Sequence, residues 1–179
     1  MLLDLFPLNF VVFPHQKIRL RIFEPRYLKL IEMCYEKARS FGICLIREGE
    51  EVGAPAVPFK IGTSVVIKEF RCESDNLFYI VVQGERRFRI EHFIQEQPHI
   101  TVEIEWLDHE IPSFPGDYSV LRKIITDILK DKWKIPEDND EFFGLLVELI
   151  AIHPGEKQKV LELSIEKVVP ALTRFLESV

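Results

Sequence analysis

The residues best suited to chemistry in this sequence are its serines, histidines, cysteines and arginines, and their spacing argues against a catalytic centre. A serine hydrolase needs a nucleophile on a sharp turn, as in G-x-S-x-G, with a base in reach. No such pattern occurs in the 179 residues. Ser64 follows Gly62-Thr63 but opens a β-prone run, so it reads as a turn or strand-start residue. His92, His99 and His109 lack the i, i+2 or i, i+4 spacing that places metal ligands on one face. His15 and His153 each adjoin a proline and read as loop histidines. The three cysteines, Cys34, Cys44 and Cys72, are far apart with no C-x-x-C spacing, which fits reduced thiols. No G-x-x-x-x-G-K-[ST] loop is present to cradle nucleotide phosphates. The chain is therefore expected to be no enzyme, with no catalytic residue, no bound metal and no cofactor.

Arg86, Arg87 and Arg89 raise the question of nucleic acid. On a strand Arg87 and Arg89 share one face while Phe88 and Ile90 share the other, so the cluster reads as a solvated or ion-paired outer face over a buried inner one. Glu85 and Glu91 flank it, and the formal net charge is -6, so the average field repels phosphate backbones. A nucleic-acid partner is disfavoured. The amino terminus lacks a basic n-region, and Asp4, Asn9 and His15 interrupt its apolar residues before a signal-peptide h-region could form. No run approaches the ~20 apolar residues of a spanning helix. A soluble, cytoplasmic protein without a membrane partner is expected.

Positioning of any site falls to the surrounding elements. Hydrophobic residues at 47% and charged residues at 29% suit a globular core. Leu5-Phe6-Pro7-Leu8 and Phe10-Val11-Val12-Phe13-Pro14 read as short edge or bulged strands, since proline denies the sheet a donor. Lys17 to Phe23 alternates, with Ile18, Leu20 and Ile22 on one face and Lys17, Arg19 and Arg21 on the other. Pro25 suits a first helical turn, and Tyr27, Ile31, Cys34, Tyr35 and Ala38 follow at helical spacing. Further strands are predicted at 43–46, 64–67, 78–82, 86–90 and 100–106, with turn chemistry at Glu48-Gly49-Glu50, Ser74-Asp75-Asn76 and Gly84.

Breakers concentrate at Ile111 to Asp117, and the apolar period changes there from about 2 to about 3.6. Residues 1–111 are therefore expected to form a mostly antiparallel β domain with one helix, and residues 117–179 a small helical bundle. Tyr118, Leu121, Ile125 and Ile128 make one helical stripe, and Phe142, Leu145, Leu146, Leu149 and Ile150 a second. Asp138-Asn139-Asp140 stand at the start of the second helix and Pro154-Gly155 is expected to stop it. Ser164 is expected to cap a last helix with Ile165, Val168, Val169, Leu172, Phe175, Leu176 and Val179 on one face, kinked at Pro170.

Several segments in order resemble one known family. They are Leu5-Phe6-Pro7-Leu8, Val12-Phe13-Pro14, and Ile22-Phe23-Glu24-Pro25-Arg26-Tyr27 leading into a helix. Phe41-Gly42, Glu51-Val52-Gly53, Ile61-Gly62-Thr63, Gly84 with Arg87-Phe88-Arg89-Ile90, and Glu105-Trp106-Leu107-Asp108 follow. The sequence resembles the amino-terminal, substrate-binding domain of the Lon proteases in a stand-alone form without ATPase or peptidase. The match covers about Leu5 to Asp108, and more loosely the helical remainder through Pro154 to Leu163. The resemblance implies an α+β fold, a PUA-like pseudo-barrel followed by a helical bundle, and a role in holding polypeptides for degradation. The motif Phe23 to Tyr27 reads first as scaffold, with Pro25 starting the helix and Glu24 and Arg26 tying the turn to its neighbours.

The resulting expectation is a non-catalytic module that binds unfolded or extended polypeptides in protein quality control, with a separate ATP-dependent protease as a further partner. An RNA-binding PUA-like module is the alternative, to be recognised by a continuous basic stripe. Fourteen phenylalanines are present. Phe6, Phe10, Phe13 and Phe59 lie in predicted loop or edge segments and are the candidate polypeptide contacts.

Overall fold

The computed structural model describes residues 1–54, 56–129, 134–150 and 152–177. Seven strands come from the first part of the chain: β1 (Leu2–Leu8), β2 (Lys17–Ile22), β3 (Phe41–Glu48), β4 (Val57–Pro58), β5 (Ile61–Ser74), β6 (Leu77–Gln95) and β7 (Ile100–Trp106). Helix α1 (Pro25–Glu36) joins β2 to β3, and α2 (Ser119–Leu129), α3 (Asn139–Leu149), α4 (Pro154–Leu161) and α5 (Ile165–Glu177) follow.

The strands close into a ring. β1 pairs antiparallel with β7 over Leu2 to Leu5 and parallel with β3 over Leu5 to Leu8. The order β1-β7-β6-β5-β3 thus returns to β1. Closure satisfies the backbone groups that an open edge would expose. The expected edge at Leu5 to Leu8 is corrected accordingly, since this strand seals the barrel. Pro7 is tolerated because only β3 pairs with its half of β1, opposite Cys44. Phe10 to Phe13 is not a strand at all; it is an irregular segment whose residues 11–13 are buried. Leu3, Leu5, Phe88, Ile90, Ile100, Val102 and Ile104 fill the barrel.

β6 is a single 19-residue strand, where two runs separated by a turn at Gly84 were expected. Gly84 is required for close approach instead. A Cβ there would lie 2.1 Å from the Phe13 carbonyl oxygen. The Gly84 N–H donates to the Gln16 carbonyl and its carbonyl accepts from the His15 N–H, both at 2.9 Å. The amino-terminal half of β6 leaves the barrel and pairs with β2 on one side and β5 on the other.

That outer sheet is roofed by α1. Tyr27, Leu30, Ile31 and Cys34 pack on Leu20, Ile22, Phe78, Ile80 and Val82. Proline at the first turn and Glu24 in extended conformation start α1, which ends at Glu36, so Ala38 lies beyond it with a positive φ of 48°. Tyr35 is exposed and stacks on Phe70 at 4.4 Å.

The four later helices cover the other side. Phe142, Phe143, Leu121, Ile125, Leu146, Val168 and Leu172 enclose Val11, Phe13 and Leu45 from the β part. Asp138 caps α3, accepting from the Asp140 and Glu141 N–H groups at 2.9 Å. Pro154 starts α4, an extra helix, rather than stopping α3, with His153 as its cap. Ile128 and Leu149, expected in the apolar stripes, are exposed. Pro170 lies inside α5, and Val179 of the expected stripe lies outside the described residues. No described helix is long and apolar enough to cross a membrane.

Candidate functional site

The motif Phe23 to Tyr27 is a tied corner. The Arg26 guanidinium pairs with the Glu24 carboxylate at 2.9 Å and donates to the Glu51 carbonyl at 3.3 Å. The Gly53 N–H reaches Glu24, and the Asn9 N–H donates to the Glu51 carboxylate. Tyr27 is 4% exposed, stacks on Phe6 with centroids 4.1 Å apart, and lies under Arg26. Burial raises the Tyr27 hydroxyl pKa to about 12. These contacts make the motif an anchor for α1 and for the 51–53 loop.

Arg87, expected on a solvated or ion-paired outer face, is ion-paired, but it is buried at 4% exposed instead of facing solvent. Its Nη2 and Nε donate to the two Asp108 carboxylate oxygens at 2.8 and 3.0 Å, a bidentate pair. Its Nη1 donates to the carbonyls of Leu161 and Leu163, at 3.0 and 2.6 Å. The side chain thereby pins the α4–α5 junction to the barrel. Arg89 stays exposed and pairs with Glu105 at 3.2 Å, and Arg86 lies 3.8 Å above the Trp106 ring. Burial withdraws Arg87 from solvent, while Arg86 and Arg89 are each engaged with a neighbour at the surface.

Ser64 is fully buried in β5, where its hydroxyl donates to the Arg86 carbonyl and accepts from the Arg86 N–H, both at 3.2 Å. Among the described residues no base is hydrogen-bonded to it. His92 and His109 are exposed, whereas His99 lies 3.3 Å from Asp4. The His99 contact, with help from Thr101, holds the Asp4 carboxyl below the usual range against the opposing effect of burial. Among the described residues no group of three potential ligands gathers for a metal. Burial pushes the Cys34 thiol up to about 11 and raises the Cys44 thiol further, which disfavours their thiolates.

The four candidate phenylalanines divide between two cores. Phe6 and Phe10 pack under α1, while Phe13 and Phe59 pack with the later helices. The expected exposure of Phe6 and Phe13 is corrected, because α1 covers Phe6 and the later helices cover Phe13, leaving them 7% and 1% exposed. Phe10 and Phe59 are half-buried. The four do not form one surface.

Among the open clefts of the described residues are two that flank β2. One, of about 430 Å³, lies between the start of β2 and α3, lined by His15, Lys17, Asp138, Asp140 and Glu148. His15 Nε2 stands 2.8 Å from the Pro112 carbonyl there. The other, of about 530 Å³, runs over the outer face of the β2-β6-β5 sheet past Arg19, Arg21, Arg71 and Tyr79. Alternation in β2 already placed Arg19 and Arg21 together; their strand partners Tyr79 and Arg71 depended on pairings that a single sequence does not reveal.

Comparison with known proteins gives one consistent answer. The profile of the ATP-dependent protease La (LON) substrate-binding domain matches residues 3–174. The Lon protease of Dictyoglomus thermophilum is 25% identical over 93% of this chain, which spans 23% of that protein. That of Cytophaga hutchinsonii is 25% identical over 86% of the chain and 21% of its own length. The chain thus spans about a quarter or less of these relatives. A Lon N-terminal domain protein from Xanthomonas campestris superposes with a TM-score of 0.73 at 27% identity, covering 96% of each chain. The N-terminal domain of Mycobacterium avium complex Lon protease has a TM-score of 0.66 at 14% identity, covering 99% of this chain and 97% of that one, and shares the fold. A barrel sealed by a proline-bearing strand, a helix launched from Phe23-Glu24-Pro25-Arg26-Tyr27 and the profile match across nearly the whole chain together show that it belongs to the LON substrate-binding domain family.

Proposed function

We propose that this chain is a non-catalytic module that binds unfolded or extended polypeptides in the cytoplasm and presents them for proteolysis, with an ATP-dependent protease as its partner. The observation that carries the reading is the profile match of the substrate-binding domain to residues 3–174. The clefts support it. They are open troughs along a sheet face and beside a helix, suited to a length of chain more than to an enclosed metabolite. The RNA-binding alternative is weaker, because Arg87 is buried in an ion pair, Arg89 pairs with Glu105, and the net charge is -6.

The test is titration of a fluorescent, permanently unfolded peptide and of a short single-stranded RNA, each at low and at physiological salt. Weak peptide binding that persists at physiological salt is expected. Tight RNA binding lost with salt, together with no peptide binding at either condition, would replace this reading by the nucleic-acid one.

A further inference from the structure

In this chain of net charge -6, the outer face of the β2-β6-β5 sheet gathers three arginines, Arg19, Arg21 and Arg71, along one trough. Strand pairing aligns Arg21, Tyr79 and Arg71 in one row and Arg19, Val81 and Glu69 in the next. Lys17 continues the series opposite Gln83. Arg19, Arg21, Arg71 and Tyr79 are exposed, and Arg71 lies 4.8 Å above the Tyr79 ring. Arg71 also pairs with Glu73 at 3.3 Å, and Glu69 is the one carboxylate lining the trough. Neither Arg19 nor Arg21 has an ion-pair partner among the described residues. β2 pairs with β6 alone, so among the described strands none occupies its second edge.

We infer that this face receives an extended polypeptide segment carrying acidic residues at alternate positions, laid along β2 with those carboxylates turned toward Arg19 and Arg21. This rests on the polypeptide-binding reading and specifies its surface and substrate chemistry. The argument is one of period and charge. Arg19 and Arg21 lie two residues apart on one face of a strand, a repeat of roughly 6.5–7 Å. A segment in β conformation repeats its side chains at the same interval, so carboxylates at i and i+2 meet both guanidinium groups. Backbone pairing along the edge supplies contact without sequence demands, and the arginines select charge. A nucleic acid fits less well. Its charges are continuous rather than alternating, so phosphates that fall between the arginines meet Glu69 and Glu73 beside the groove.

The experiment uses the full chain and short fluorescein-labelled peptides in which Val and Phe alternate with Glu, Gln or Lys, with oligouridine as the nucleic-acid probe. The Glu peptide should bind about tenfold more tightly than the Gln peptide, and the Lys peptide more weakly than either. The double substitution Arg19→Glu, Arg21→Glu, at exposed positions, should abolish the preference for Glu while leaving the melting temperature unchanged. Lys123→Glu, exposed on α2, should change nothing. Equal binding of Glu and Gln peptides, or an unchanged preference in the double variant, overturns this inference while leaving the broader reading intact. Failure of the parent to bind any of the three peptides overturns both. Oligouridine that binds tightly and displaces the Glu peptide assigns the face to nucleic acid and overturns it as well.

Discussion

The core beneath α1 and the core beneath α2–α5 are closed by different means. The first takes one helix and the strands immediately around it, and its contacts are apolar with a charged tie at the rim, Glu24 with Arg26. The second is built from four helices and yet includes Val11, Phe13 and Leu45 from the β part. Its seam also holds a buried polar clamp, Arg87 with Asp108 and the Leu161 and Leu163 carbonyls. A helix that lies on a sheet needs only an apolar stripe. Helices that must share a core with a barrel also need their register against it fixed, and directional hydrogen bonds from one guanidinium supply that.

The largest test of this contrast removes one side of the seam. A chain ending at Ile111 uncovers Val11, Phe13 and Leu45, a loss of roughly 5 kcal/mol at the usual value of buried aliphatic and aromatic side chains. It should stay soluble yet melt well below the full chain. Equal melting temperatures would show that the helices are an appendage and that the shared core is not cooperative. Next, Asp108→Ala leaves the buried Arg87 charge without its partner and should cost about 3–5 kcal/mol in urea unfolding. The pair Arg87→Met, Asp108→Leu should recover most of that loss. A single variant as stable as the parent would mean that water or movement of α4 satisfies Arg87. Smaller is Tyr27→Ala, which deletes the ring stacked on Phe6 and should lower stability by about 3 kcal/mol. An unchanged denaturation midpoint would show the α1 core to be less closely packed than its 4% exposure indicates.

The two regions were unequally legible in the sequence. The α1 region was readable because its signals are local: alternation in Lys17 to Ile22, proline at the helix start and an apolar stripe from Tyr27 to Cys34. The helical region was readable in part. Phe142, Leu121 and Ile125 fell on their stripes, but α4 was missed because Pro154-Gly155 signals a stop as readily as a start, and His153, its cap, was read as a loop residue. The burial of the Arg87 ion pair was not legible because alternation tells which face a residue takes and not what covers that face. Gly84 misled for a similar reason: a glycine between two β-prone runs looks the same whether it turns the chain or admits a neighbouring backbone. The groove over β2 and β6 was half visible, since Arg19 and Arg21 are local while Tyr79 and Arg71 join them only through long-range pairing.

β6 runs past Gly84 as one strand, with a register shift against β5 between Gly84 and Arg87, and this bears on which changes of length the chain tolerates. Even-numbered residues Phe78, Ile80 and Val82 face the α1 core, and Phe88 and Ile90 continue the same parity into the barrel. Arg87, of the opposite parity, lies beneath the later helices, where Tyr79 and Val81 look onto the groove. One residue inserted between Gln83 and Gly84 would turn every side chain of one half to the wrong face relative to the other. Substitutions within β6 act one at a time, but an insertion there exchanges inside for outside along half a strand. Insertions are therefore expected to be tolerated best at its ends, at the Asp75-Asn76 turn and the segment from Glu96 to His99.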